Sequence, residues 1–293
     1  MKEFENIIGN NYLLKVPFGD SWTGVTLIKG SENVLIDTGS RGDDIDEYIV
    51  PALRGLGLEL TDIAWLTNTH SHGDHIGGYS RIKELCPNLR IAASETDAAN
   101  VENPAALAIR IRTRFPEYSP APQSYLKGVK VDRVLADGEE LIPGLRVIQT
   151  PGHDMGCVCW FEEETRTLIT GDSVQGGGTP TQGIGFYQDL DIYRGSMEKL
   201  LALGAENIIC GHDYDKIGSV IRGTENVEKA LRLCLDITDT YQEYVDKKLD
   251  AGITNAGEIA VDMINDIGCG MPPKLFMAVY TVTGHIAKHK KGN

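Results

Sequence analysis

The stretch Thr69-His70-Ser71-His72-Gly73-Asp74-His75-Ile76-Gly77-Gly78 puts four ligand-type side chains into six residues, between an apolar run and a helical one. His70 and His72 lie two apart in extended backbone, so their rings project the same way. Asp74 and His75 follow at the helix start from a rotated direction. Gly and Ser between them allow the close backbone turns that a metal site needs. Imidazole and carboxylate together suit zinc and other borderline divalent ions. A polar strand-to-helix loop whose histidines only cap or solvate is the bland alternative.

Three more elements weigh against that alternative. Pro151-Gly152-His153 follows the run Leu145–Thr150, Gly171-Asp172 follows Thr167–Thr170, and Gly211-His212 follows Asn207–Cys210. Each places one ligand-type residue just past the C-terminal end of an expected strand. Any one alone reads as a turn residue. Together with 70–75 they converge, because loops at one end of a sandwich share a rim.

The rest of the chain supplies a frame for that rim. Strands are expected at Tyr12–Val16, Gly24–Lys29, Asn33–Asp37, Ile63–Thr67, Arg90–Ala93, Val129–Leu135, Leu145–Thr150, Cys157–Phe161, Thr167–Thr170 and Asn207–Cys210. Helices fit Asp43–Arg54, Ile76–Leu85, Ala105–Phe115 and Arg194–Leu203. Consecutive strands without helices argue for two packed sheets with helices outside. After Gly223, near-heptad Val227, Leu231, Cys234, Thr238, Tyr241 and Val245 predict one long helix over Thr224–Leu249. Asn255 then caps a short helix with Glu258 at the capping-box position, and Pro272 opens a last helix toward His285. The expected division is therefore 1–223 for the sandwich and 224–293 for a helical extension.

Composition narrows the partners. Lys and Arg total 28 against 42 Asp and Glu, a net charge of −14, which repels phosphate backbones and anionic lipid heads. No apolar run reaches the ~18–20 residues of a membrane span. The start, Met1 to Asn6, lacks the apolar stretch of a secretory signal. The six cysteines follow no framework spacing and read as buried free thiols, so a cytoplasmic location is expected.

The His-x-His-x-Asp-His stretch at 70–75, with His153, Asp172, His212 and the upstream Leu35-Ile36-Asp37-Thr38-Gly39, resembles the metallo-β-lactamase-fold superfamily over about residues 10–215. That resemblance implies an α/β fold, a four-layer αββα sandwich with a C-terminal helical appendage. It implies two divalent ions, Zn2+ before Fe or Mn. His70, His72 and His153 would hold one, Asp74, His75 and His212 the other, with Asp172 and a hydroxide bridging both. Asp37 is similar to the carboxylate that orients a ligand histidine.

The chemistry so implied is hydrolysis of a small acyl substrate (thioester, ester, lactone or amide) by the bridging hydroxide, with Asp74 able to return a proton. No Gly-x-Ser-x-Gly elbow or Walker-type loop competes. An iron-dependent persulfide dioxygenase-like oxidoreductase and a nuclease of the same fold are the alternatives, the latter disfavoured by charge. Substrate contacts are expected from Arg110 and Arg114, which share a helix face at i,i+4, and from Tyr187 or Tyr193 in place of the tyrosine that lactone-opening relatives carry after the bridging aspartate. The helical ending resembles that of β-lactamase-like protein 2 relatives, and a homodimer through these helices is a possible assembly. His285 and His289 are expected on the surface or in packing.

Overall fold

A computed structural model describes residues 3–122 and 125–292, so residues 1, 2, 123, 124 and 293 of the two expected segments lie outside it. Among the described residues, thirteen strands form two sheets. The first runs β1 (Glu5–Ile8), β2 (Asn11–Phe18), β3 (Ser21–Ile28), β4 (Asn33–Ile36), β5 (Ile63–Thr67), β6 (Arg90–Ser94) and β7 (Arg133–Leu135) in sequential order. It is antiparallel from β1 to β4 and parallel from β4 to β7. The second holds β8 (Glu140–Ile142), β9 (Leu145–Gln149), β10 (Val158–Glu162), β11 (Thr167–Gly171), β12 (Asn207–Tyr214) and β13 (Gly218–Arg222), with β11 and β12 parallel.

Side-chain alternation along these strands builds three apolar layers. Leu13, Val34, Ile36 and Trp65 of the first sheet meet Val147, Val158, Trp160 and Ile169 of the second in the central layer. Their neighbours Leu14, Val25, Leu27 and Leu35 face outward and pack under a π-turn at Ile45–Ile49, α1 (Val50–Gly55) and the later α3 (Tyr79–Leu85). On the other side Ile148, Cys159, Phe161, Leu168 and Ile208 face α6 (Leu190–Leu203), α7 (Thr224–Asp250), α8 (Ala256–Ile267) and α9 (Phe276–Gly292). The layers are αββα, and the C-terminal helices share the core of the second sheet.

Local chemistry explains where the elements differ from expectation. The helix expected over Ile76–Leu85 is split into α2 (Gly73–Ile76) and α3. Gly77 sits so close to Ser40 that a Cβ would lie 2.1 Å from its carbonyl carbon, and the chain turns there. Only Arg133–Leu135 of 129–135 is a strand, because Val129 N–H bonds to Val101 O of α4 (Ala98–Glu102) instead of a ladder. The helix α6 starts four residues before Arg194, capped by Asp189, whose carboxylate accepts from Ile192 N at 3.0 Å. The last helix starts at Phe276 and not at Pro272. Asn255 caps α8 as expected, accepting from Glu258 N at 2.9 Å, and α7 covers the heptad stretch over 27 residues. All six cysteines are free; Cys86 and Cys269 are half-buried, the other four buried. No helix among the described residues is long and apolar enough to cross a membrane.

His285 is fully buried between α7 and α9. Its Nε2 meets the Tyr187 hydroxyl at 2.6 Å and its Nδ1 meets Gln242 Oε1 at 2.9 Å. Burial, reinforced by Lys288, pushes its pKa down to about 3. The neutral form is therefore native, while the unfolded chain takes up the proton near 6.5. Stability from this site is complete above 6.5 and is lost as pH falls toward 3. At pH 5 the loss is about 2 kcal/mol. Urea unfolding at pH 7.5 and 5 should show it, and His285→Gln should flatten that slope; an unchanged slope would remove His285 from the acid response.

Candidate metal centre

Loops at strand ends, α2 and the interior of one strand bring every expected ligand to one rim. The loop after β5 is pinned to the second sheet: the Trp160 indole donates to Asn68 O at 3.0 Å, and Val158 N donates to Thr69 O at 2.8 Å. His70 and His72 project from this loop, with ring centroids 4.5 Å apart. His153 comes from the loop after β9 and Asp172 from the residue after β11. His212 lies inside β12, which runs on to Tyr214 rather than ending at Cys210 as the sequence suggested. Two glycines permit the close approach. A Cβ on Gly171, at φ +49°, would fall 2.2 Å from Thr69 Oγ1, and one on Gly211 would fall 2.7 Å from Asp172 Oδ1.

Among the described residues there are three overlapping sets whose ligand atoms lie within 4.8 Å of one another inside each set: His70, His72 and His153; His70, His75 and Asp172; Asp74, His75 and His212. Asp172 faces both sides. Its Oδ2 is 3.4 Å from His153 Nε2, and its Oδ1 is 3.3 Å from His75 Nε2 and 3.5 Å from His212 Nε2. His212 Nε2 also lies 3.4 Å from Asp74 Oδ2. His72 turns its Nδ1 inward, 3.0 Å from His153 Nε2.

Most outer nitrogens are engaged. His75 Nδ1 meets Asp37 Oδ2 at 2.9 Å, His212 Nδ1 donates to Trp22 O at 2.7 Å, and His153 Nδ1 lies 3.0 Å from Phe186 O. The inward atoms His70 Nε2, His75 Nε2 and Asp172 Oδ1 are buried with no hydrogen-bond partner. Buried polar atoms rarely go unsatisfied, and lone pairs converging on one space are what a divalent cation would fill. The residues fit the group that the resemblance implies.

The electrostatics divide the cluster. Burial and the neighbouring imidazoles push His70 well down, and burial pushes His153 down to about 4. Burial opposes charge on His75 and His212 too, but Asp172 and the other carboxylates outweigh it. They hold His75 well up and raise His212 to about 10. Asp74 and Asp172 stay ionised against burial because His75 and His212 face them.

Sequence reasoning missed three supports. Asp154 sits 3.7 Å from His72 Nε2 and is fixed by Gln188 and by Gly156 N. Asp97 accepts from Asn68 Nδ2 and Ser71 Oγ at 2.6 Å each, steadying the ligand loop; burial lifts it to about 6. Gln175 joins His153 to the Phe186 backbone. Adjacency of Asp154 to His153 was a signal; Asp97 and Gln175 carried none.

A cavity holding about 930 Å³ of non-atom space, open to solvent, rises from this rim. Asp74, His72, His153, Asp172 and His212 floor it; its walls come from α5 (Pro104–Thr113) and the start of α9. The expected substrate residues are elsewhere. Arg110 reaches Asn100 on the surface, and Arg114 stacks 4.8 Å over Tyr280. Tyr187 is buried, bonded to His285 and stacked on Tyr193 at 4.7 Å. Neither pair lines the cavity, whereas Arg112 does.

The profile of the Metallo-beta-lactamase superfamily matches residues 23–212. The chain belongs to that superfamily. It is similar to a beta-lactamase-like protein 2 homolog of Caenorhabditis elegans, 27% identical over 81% of this chain and 70% of that one. It is also similar to a hydroxyacylglutathione hydrolase of Rhodospirillum rubrum, 29% identical over 57% of this chain and 54% of the relative. A metallo-beta-lactamase family protein from Thermus thermophilus superposes with a TM-score of 0.75 at 22% identity, over 98% of this chain and 95% of the other, a likeness of fold.

Asp37 gives this centre its sharpest test. Asp37→Asn should weaken divalent-ion retention by ~10–100-fold, because an amide no longer fixes and polarises His75 as a carboxylate does. Chelator competition measures this; unchanged retention would mean that His75 needs no orienting anion.

Proposed function

We infer that this protein is a dinuclear metal-dependent hydrolase of small acyl substrates. The reading rests on one observation: Asp172 turns one oxygen to His153 and the other to His75 and His212, at the floor of an open, largely apolar cavity. His70, His72 and His153 would hold one ion, Asp74, His75 and His212 the second, and Asp172 both. Two divalent ions, Zn2+ first among them, would ionise a water near neutral pH and polarise the acyl oxygen under attack.

The chain's own groups supply orientation and proton handling. Trp22 O, Phe186 O and Asp37 fix the imidazoles through their outer nitrogens, so the inner nitrogens stay free to bind. Asp74 is the partly exposed carboxylate of the set and lines the cavity, where it can accept a proton and pass it to the leaving group. The apolar walls exclude water from the acyl chain. The relatives' hydroxyacylglutathione hydrolase name supports acyl chemistry without naming this chain's substrate.

Protein made in defined medium should contain about two divalent ions per chain. Replacing His72 and His153 together with Ala should remove one and lower thioester hydrolysis by at least ~10³-fold while the circular dichroism spectrum is kept. Wild-type turnover and metal content in that variant would refute the assignment.

Substrate preference follows from charge. With a net charge of −14, the surface repels polyanions, whereas a small acyl compound feels that field little. A generic thioester should be hydrolysed far faster than single-stranded RNA at low salt. Efficient RNA cleavage that weakens steeply with salt would instead favour a nuclease.

A further inference from the structure

The cavity wall opposite the metal rim carries two cations that the hydrolytic reading leaves unused. Arg112 on α5 and Lys274 in the turn before α9 both line the cavity. Arg112 lies with its guanidinium carbon 4.7 Å over the Phe276 ring, and its Nη1 is buried without a hydrogen-bond partner. Among the described residues neither cation has an ion pair within 4.0 Å, while twelve other Arg and Lys side chains do. The cavity they share is also lined by apolar side chains: Leu107 and Ile111 on α5, Phe186, Phe276 and Met277.

Two half-buried cations lining one cavity are costly. Burial lowers the pKa of both, and Arg112 lowers that of Lys274 further. Asp74 is the carboxylate whose charge reaches both, across the cavity. A guanidinium edge left without an acceptor forfeits hydrogen bonds worth more than neutral ones. Arg112 lies over the Phe276 ring, and the Tyr280 hydroxyl donates to Ile111 O at 3.0 Å, tying α5 to α9. A rigid, unpaired, amphipathic cationic wall is suited to an anion carried on an apolar body.

We propose that Arg112 and Lys274 form a subsite for an anionic oxygen head group, so that the substrate is an acyl compound with an apolar middle and a carboxylate, sulfonate or phosphate at the end away from the metals. This rests on the hydrolase reading for the word substrate, but the anion subsite itself does not. The head group docks on the guanidinium edge and the ammonium, the apolar segment lies over Phe276 and Phe186, and the acyl carbon reaches the floor beside Asp74 and Asp172.

The test is binding before turnover. Isothermal titration of the metal-loaded protein compares 2-naphthalenesulfonate, 2-naphthoate and 2-naphthyl phosphate with the uncharged methyl 2-naphthyl sulfone. At least one anion should bind ~10–100-fold more tightly than the sulfone, the size expected of a charge-assisted contact. The strongest of the three names the head group. Arg112→Met with Lys274→Met should erase that preference and leave sulfone binding unchanged, and Arg112→Lys should restore part of it. Thermal melts check that the Met variants are folded. A preference that survives in the double variant places the anion on the metals and overturns the proposal, as does equal binding of all four probes by the wild type.

Turnover separates the two readings. On an ester with a carboxylate tail, the double variant should raise KM ~10–100-fold with kcat within ~3-fold, and the uncharged ester should be unaffected. An anion preference lost in the double variant, with no ester or thioester hydrolysed by the wild type, keeps the subsite and removes the acyl-hydrolase reading. Equal KM changes for the charged and uncharged esters remove the subsite and keep the hydrolase.

Discussion

The carboxylate of Asp37 is the interaction on which the rim depends. It sits at φ +65° just beyond β4, a conformation that L-residues adopt at some cost and that Asp tolerates better than most. From there Oδ1 accepts from Thr69 N and Oδ2 from Thr69 Oγ1, both at 2.8 Å, and Oδ2 also meets His75 Nδ1. One buried anion thus couples the end of a strand, the entry of the ligand loop and a ring in the centre. Thr38 N to His75 O, at 2.7 Å, closes the same junction through the backbone. Together with the Trp160 and Val158 bonds to the loop backbone, the junction sets the angle at which the loop after β5 leaves the sheet.

That junction also explains how so much charge is buried together. Four carboxylates (Asp37, Asp74, Asp154 and Asp172) and five imidazoles lie within or against the cluster, and protons are shared unevenly among them. His75 and His212 hold theirs strongly because carboxylates face them, while His70 and His153, among other imidazoles, are pushed to give theirs up. On the metal-dependent reading proposed above, bound cations would take the place of the protons on His75 and His212. Metal uptake would therefore release protons and weaken as pH falls. A site built this way is a poor source of stability when empty, and the three apolar layers hold the fold instead.

Much of this was legible in the sequence because it follows from short-range rules. The 70–75 spacing, one ligand after each of two later strands, and the heptad face of α7 depend on local periodicity, and the structure brings those residues together. What was not legible depends on partners far along the chain. β1, β8 and β13 are short strands whose pairing, not composition, makes them strands. The break at Gly77 is dictated by Ser40. On α5, arginines at 110, 112 and 114 alternate, so 112 points away from the other two at about 100° per residue. The i,i+4 pairing of Arg110 and Arg114 was real geometry on the wrong face. The buried pair Leu107 and Ile111 marked the inward side, with Ala108 and Arg112 at its edge.

The C-terminal helices then do more than cover the second sheet. Their inner faces join the core, but the turn before α9 and its first residues form cavity wall, and Phe276 is the surface on which Arg112 rests. The candidate ligands come from strands and loops of both sheets and from α2, whereas the wall above them comes from α5 and α9. The local cations and the global charge act over different ranges. A net −14 repels anions at distances that salt screens within about 8–10 Å, whereas Arg112 and Lys274 act at contact, in a partly desolvated pocket where screening is weak. Such a protein would capture small anions slowly and hold them well, while long polyanions would be repelled along their whole length before reaching the wall.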